Sequence, residues 1–280
     1  MTLSVALLVL FSAVLHASWN AIVRIKGDRL AVVTLLATFG ALFALPAVVF
    51  LPPPPVDAWP WLAASMLLHV GYNVFLANAY AHGELGKVYP LARGAAPLMT
   101  LAASLTLLDE PLGTTTILGI VVLGGGIIAL TFDRGLRVLI EAPKGAIYAL
   151  STSLFIGGYT ISDGLGARTS GDALAYTAWL FVLDGLPLLI YAAVRRGRGI
   201  GAMFSENWKA GMTAGALSIG AYAIVIWAMT VAPIALVAAL RETSVVMAVL
   251  IGVVFLGERL TTARTVSVAV VIVGLVMLRL

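Results

Sequence analysis

Long apolar runs, broken only by short polar stretches, fill this sequence from end to end. A helix needs about 20 mostly apolar residues to cross the hydrocarbon core of a bilayer. Ten segments meet that requirement, at 3–23, 30–51, 59–81, 87–108, 114–132, 143–163, 172–194, 208–230, 234–256 and 262–279. The breaks between them include RIKGD, PPPPVD, HGEL, DEPLG, GARTSGD, RRGRGIG, VAPIA and GERLT. All are short, so successive helices must be antiparallel neighbours, and no soluble domain fits between them. A transmembrane β-barrel would show alternating segments of about ten residues instead. The expected fold is therefore all-α, a polytopic membrane protein with ten transmembrane helices.

Composition agrees. Hydrophobic residues make up 61% and charged residues 11% of the chain, against about a quarter charged in soluble domains. The formal charge of +4 does not indicate nucleic-acid binding, because the basic residues lie between apolar runs and form no patch. There are no cysteines, which excludes disulfides, thiolate catalysis and Cys-ligated metals. The N-terminal run lacks a basic n-region and exceeds a signal-peptide core in length, so it reads as the first span.

The two halves resemble each other. Residues 89–112, YPLARGAAPLMTLAASLTLLDEPL, align without gaps on 237–260, VAALRETSVVMAVLIGVVFLGERL, at an offset of 148. This superposes Arg93 on Arg241 and Glu110 on Glu258. ALPAVVF (44–50) likewise matches GLPLLIY (185–191), and Asn20 falls opposite Asp163. The repeats are taken as 1–134 and 141–280, with five spans each. An odd number of spans per repeat forces like-folded halves into opposite orientations, the arrangement of secondary transporters whose solute site lies between the halves near the midplane.

Lys and Arg in short loops mark the cytoplasmic side. The loops after spans 1, 3, 5, 7 and 9 hold thirteen of them: Arg24, Lys26, Arg29, Lys87, Arg134, Arg137, Lys144, Arg195, Arg196, Arg198, Lys209, Arg259 and Arg264. The other side holds two, Arg168 and Arg279. This bias places both termini outside a plasma or inner membrane.

Polar residues within spans tend to face a cavity or a partner. His16, Trp19 and Asn20 share one face of span one by their i, i+3, i+4 spacing, and His69, Tyr72 and Asn73 repeat it in span three. Arg93 and Arg241 lie about 10 Å inside their spans, from the rise of a helix. Glu242 follows Arg241 about 100° around the helix, so one of the two is expected to meet another helix. Tyr80, Tyr89, Tyr159, Tyr222 and Trp227 are candidates for shaping a cavity. The expectation is that His16, Trp19, Asn20, Tyr72, Asn73, Arg93, Tyr159, Tyr222, Trp227 and Arg241 bind the solute. Glu242, Asp184 and Asp163 are the candidates for a coupling proton or cation, with Asp163 placed at the end of span six. Glu110 and Glu258 read as helix-end carboxylates facing water, with a gate role as the alternative. Gly211 and Gly215, and the glycines at 119 and 124–126, read as packing positions. Pro46 and Pro187 each remove a backbone hydrogen bond and predict kinks.

Enzyme motifs are absent: no HExxH, no phosphate loop ending in GK[ST], no GxSxG. No cofactor, metal site or ATP use is expected.

LHASWNAIVR in span one, YPLARGAAPL in span four, and the paired LLDEPL and FLGERL resemble the EamA-type transporters of the drug/metabolite transporter superfamily. The resemblance covers essentially the whole chain. It implies an all-helical fold, alternating access and secondary transport of metabolites, often by export, and no enzymatic activity. It also implies cytoplasmic termini, against the charge bias. The leading expectation is a small polar or amphipathic metabolite, an amino acid or related amine, because charges of both signs could hold a zwitterion. The alternatives are a multidrug or toxic-compound exporter and a lipid-carrier flippase. The expected partners are the solute, the bilayer and a coupling ion; the assembly is a monomer or a homodimer.

Overall fold

A computed structural model describes residues 1–25, 28–83, 85–132, 142–257 and 260–278. Lys26, Arg134, Arg137, Glu258, Arg259 and Arg279 lie outside the described residues, as do the side chains of Arg24, Arg29 and Lys87. The described residues contain helices and no strand. The helices are α1 (Leu3–Ile25), α2 (Arg29–Phe50), α3 (Trp59–His82), α4 (Leu85–Leu107), α5 (Thr114–Ala129), α6 (Pro143–Ser170), α7 (Ala173–Arg196), α8 (Ile200–Val231), α9 (Ile234–Glu242), α10 (Ser244–Leu256) and α11 (Thr262–Met277). Five helical stretches are long and apolar enough to cross a membrane: Leu3–Val23, Ala31–Phe50, Val56–His82, Ala173–Val231 and Ile234–Val254. The fourth contains both α7 and α8, joined by a 3-10 turn at Gly197–Gly199. The helices α5 and α11 are shorter apolar helices. The remaining two, α4 and α6, carry the charged residues Arg93, Asp163 and Arg168 within them.

Local chemistry sets the boundaries. Asp28 caps α2 by accepting from the Ala31 amide at 3.0 Å. Asp172 caps α7 through the amides of Leu174 and Ala175, filling the unsatisfied first turn. Gly171 stops α6 in the left-handed region, at φ 70, which glycine adopts at no steric cost. Pro46 and Pro187 interrupt neither α2 nor α7. One expected span is tightened at a single residue: α9 ends at Glu242 and α10 starts at Ser244, with Thr243 between them still in the right-handed helical region, so 234–254 remains one helical stretch. Another is longer than expected, because α6 continues seven residues beyond 163 to Ser170.

The halves interlock. Helix α3 packs on α6, α2 on α7 and α8, α1 on α8, α4 on α6 and α9, and α5 on α11. Glycines permit the closest approaches, as expected of packing without a hydrophobic driving force. A Cβ on Gly215 would meet the Leu36 carbonyl of α2 at 2.9 Å, and one on Gly124 would meet the Gly94 carbonyl of α4 at 2.8 Å. Gly211 similarly abuts Leu35, whereas Gly125 faces open space. The largest buried cluster gathers Val9, Leu123, Val225, Ile234, Val237 and Leu240 around α9.

Candidate functional site

Two arginines and one glutamate meet in the interior. Arg93 on α4 places Nε 2.9 Å from Glu242 Oε2, and Arg241 on α9 places Nη2 3.6 Å from Glu242 Oε1. All three are almost wholly buried, at 4%, 3% and 2% exposure for Arg93, Arg241 and Glu242. Glu242 thus meets the neighbouring helix, as expected. Arg241 reaches both back to Glu242 and across to Tyr159 on α6, whose hydroxyl lies 3.5 Å from its Nη2. The charges close in on one another without completing their hydrogen bonds. Arg93 Nε, Arg241 Nε and Glu242 Oε2 have no aligned partner among the described residues, so the 2.9 Å contact is an ion pair with misdirected N–H.

Around this cluster lies a belt of rings. His16 on α1 faces Arg93, with Nε2 3.3 Å from Nη2. A guanidinium only donates, so Nε2 of His16 is the acceptor and the ring is neutral there. Trp19 meets the His16 ring edge-on at 4.9 Å. The Arg241 guanidinium sits 6.0 Å from the Tyr159 ring and 5.9 Å from the Tyr222 ring, within cation–π range. On the far side of Tyr159, His69 stacks on its face at 4.1 Å, and Tyr72 approaches edge-on at 5.9 Å.

Beyond those rings sits a lone carboxylate. Asp163 is 1% exposed. It accepts from Tyr222 at 2.5 Å and Tyr176 at 3.3 Å, while Ser65 and His69 lie within electrostatic reach. The expected position at a helix end is therefore corrected: Asp163 lies inside α6, sheltered by α3, α7 and α8. No Lys or Arg pairs with it among the described residues. The site has a positive pole at Arg93 and Arg241 and a negative pole at Asp163, with Tyr159, Tyr222 and His69 between them. His16, Trp19, His69, Tyr72, Tyr89 and Tyr222 are half-buried where they adjoin the cluster.

Other expected residues stand elsewhere. The Asn20 and Asn73 amides turn back to donate to the carbonyls of His16 and His69 on their own helices, and Asn73 is exposed. Asp184 lies half-exposed at the middle of α7 without an ion pair among the described residues. Trp227 faces a separate open groove of about 800 Å³ at the α6–α7 turn, lined also by Arg168, Asp172, Leu174, Ile224 and Thr230. Tyr80 packs with the cluster around Val88 and Leu91 at the start of α4.

Sequence reasoning missed Ser65, Tyr176 and one ion pair. Ser65 lies one helical turn before His69, a signal that was present. Tyr176 looks like an interfacial aromatic at a helix start, and only the extended α6 brings it to Asp163. The ion pair joins Glu110 and Arg168 at 2.8 Å. Glu110 had been expected to face water, but its side chain is 6% exposed.

Residues 143–280 match the EamA-like transporter family. One solved crystal structure superposes on this chain with a TM-score of 0.78 at 17% identity, over 99% of this chain and 98% of its own; that likeness is one of fold. No curated protein matches the sequence.

Proposed function

We propose that this chain, whose residues 143–280 match the EamA-like transporter family, is a ten-helix, inverted-repeat secondary carrier for a small zwitterionic metabolite, an amino acid or related amine. Residues 1–134 form the first repeat in this reading and 141–280 the second. The carrying observation is the charge balance of the buried cluster: two guanidiniums share one carboxylate. An unbalanced charge in a low-dielectric interior costs several kcal/mol, on the order of the penalty for breaking a buried pair. A solute carboxylate supplies the missing negative charge. Arg forks match carboxylates in shape as well as sign. The solute ammonium lies toward Asp163, and the apolar part rests on Tyr159, Tyr222 and Tyr72.

Glu242 is the fixed counter-ion of the two arginines. Asp163, with tyrosines as its hydrogen-bond partners and no cation beside it, is the group free to exchange a proton as the solute arrives or leaves. Of the three coupling candidates, Glu242, Asp184 and Asp163, this reading assigns the proton to Asp163. Its aromatic surroundings also favour a second reading, export of an organic cation with Asp163 as the sole anchor.

Thermal stabilisation of the purified protein separates the two. Zwitterions should raise the melting temperature of the native protein and of Asp163→Asn, with weaker binding in the latter, and should lose at least tenfold in affinity in Arg241→Gln. Proton-driven uptake into vesicles should vanish in Asp163→Asn. If simple organic cations stabilise the protein and Arg241→Gln leaves that unchanged, the zwitterion reading is wrong.

A further inference from the structure

The site is tied to one face of the molecule through a single short helix. Helix α9 spans nine residues, Ile234–Glu242, and carries Arg241 and Glu242 at its C-terminal end. Its N-terminal end is held by Glu110, from the turn after α4. The Ile234 amide donates to both Glu110 oxygens, at 3.0 and 2.9 Å. A carboxylate there satisfies an otherwise orphaned amide and meets the positive end of the helix dipole. Arg168, at the end of α6, clamps the arrangement. Its Nη2 donates to Glu110 at 2.8 Å and to the Ala232 carbonyl at 3.0 Å, and its Nε donates to the Met229 carbonyl at 2.8 Å. One guanidinium therefore joins the α4–α5 turn, the end of α6, the end of α8 and the start of α9. The residue before Glu110, Asp109, stands at φ 48, the one non-glycine positive φ among the described residues. Such strain persists where surrounding contacts over-determine it.

Burial shows what the clamp closes. In α6, every residue from 159 to 164 is buried, as are Gly166 and Ala167 next to Arg168. The equivalent third of α1, with Asn20 opposite Asp163, is half-exposed at His16 and at each residue from 18 to 23. Two matching segments thus differ in packing: the α6 segment is buried as far as Ala167, with Arg168 and Thr169 exposed beside the groove, and the α1 segment is only half-buried.

We propose that Glu110 and Arg168 form a gate latch, locking the face at the ends of α6 and α8 shut and holding α9, and with it Arg241 and Glu242, in the binding position. This rests on the transporter reading above. Opening that face requires Glu110 to leave the Ile234 amide, which frees α9 to move. Face closure and the position of the binding charges are then one event.

The chain has no cysteine, so each engineered thiol reports alone. Purified Asn20→Cys and Leu236→Cys proteins would be treated with a water-soluble maleimide, each with the native latch, with Glu110→Gln and with Arg168→Gln. Cysteine at 20 should label fast with the latch intact, and cysteine at 236, behind the latch in a buried cluster, should label slowly. Either latch substitution should raise labelling at 236 about tenfold and lower it at 20. Unchanged labelling at both positions, or a rise at both from general loosening, overturns the latch. A parallel arm adds a mixture of amino acids to the native-latch proteins. Opposite solute-driven changes at the two positions with inert latch variants would discard the latch and keep the transporter reading. Opposite changes in the variants without any solute response would keep the latch and count against that reading.

Discussion

Glu242 is the buried carboxylate that faces both Arg93 and Arg241. Replacing it with glutamine leaves Arg93 and Arg241 facing each other in the interior with no counter-charge. Removing one partner of a buried ion pair typically costs about 3–5 kcal/mol. The Glu242→Gln protein should melt far below the native one, and a carboxylate-bearing solute should restore more stability to it than to the native protein; a glutamine variant that melts normally would mean the arginines find other compensation. Arg93 and Arg241 were legible in the sequence, because charge inside an apolar run is costly and marks a site. Their meeting point was not, since it requires α4 and α9 to cross. Asp163 was misplaced for a related reason. Gly164 and Gly166 looked like the start of a break, yet they lie flat against Ile234 and Tyr176, and the helix runs on. A glycine that ends a helix and one that seats it against a neighbour look alike in a sequence.

At the scale of helices, hydropathy located nearly every element, because length and apolar content are the membrane's own criteria. The long-range contacts of Glu110 had no such signal, because they depend on the packing of four elements. Small-residue contacts allow a paired test. Gly215→Ala puts a methyl against the Leu36 carbonyl at 2.9 Å and should cost about 1–3 kcal/mol from overpacking. Gly125→Ala meets nothing within 4 Å and should be neutral or slightly stabilising through helix propensity. Equal effects in thermal unfolding would show that the α2–α8 contact does not set stability. Asp28 offers a test by pH. The Ala31 amide and Arg196, bonded through both carboxylate oxygens at 2.7 and 2.6 Å, hold its carboxyl below the usual carboxylate range. A depressed folded pKa contributes stability that is complete above the ordinary carboxylate value and lost as pH falls through the folded one. Unfolding midpoints from pH 6 down to pH 3 should therefore drop less steeply in Asp28→Asn than in the native protein, with the variant already less stable at pH 6.

For the whole molecule, the distribution of charge predicts orientation. Asp28 and Arg196 pair where α2 begins and α7 ends, and Glu110 and Arg168 pair at the far end of α8. The charge bias puts the Asp28–Arg196 pair on the cytoplasmic side and both termini outside. A C-terminal reporter active only in the cytoplasm should then stay silent, while the same reporter inserted between Gly197 and Gly199 should be active. The reverse pattern would turn the molecule over and leave the candidate site unchanged, because the ion cluster is interior in either orientation.

The ion cluster also dictates an order of assembly. Arg93 leaves the ribosome 149 residues ahead of Glu242, so a growing chain holds the cation long before its counter-charge exists. A bare guanidinium at mid-bilayer costs about 3 kcal/mol even by the lenient insertion scales. His16, already made, offers a single neutral nitrogen. The nascent first half therefore carries α4 with its charge unmatched, and the ion cluster closes only once α9 has been made.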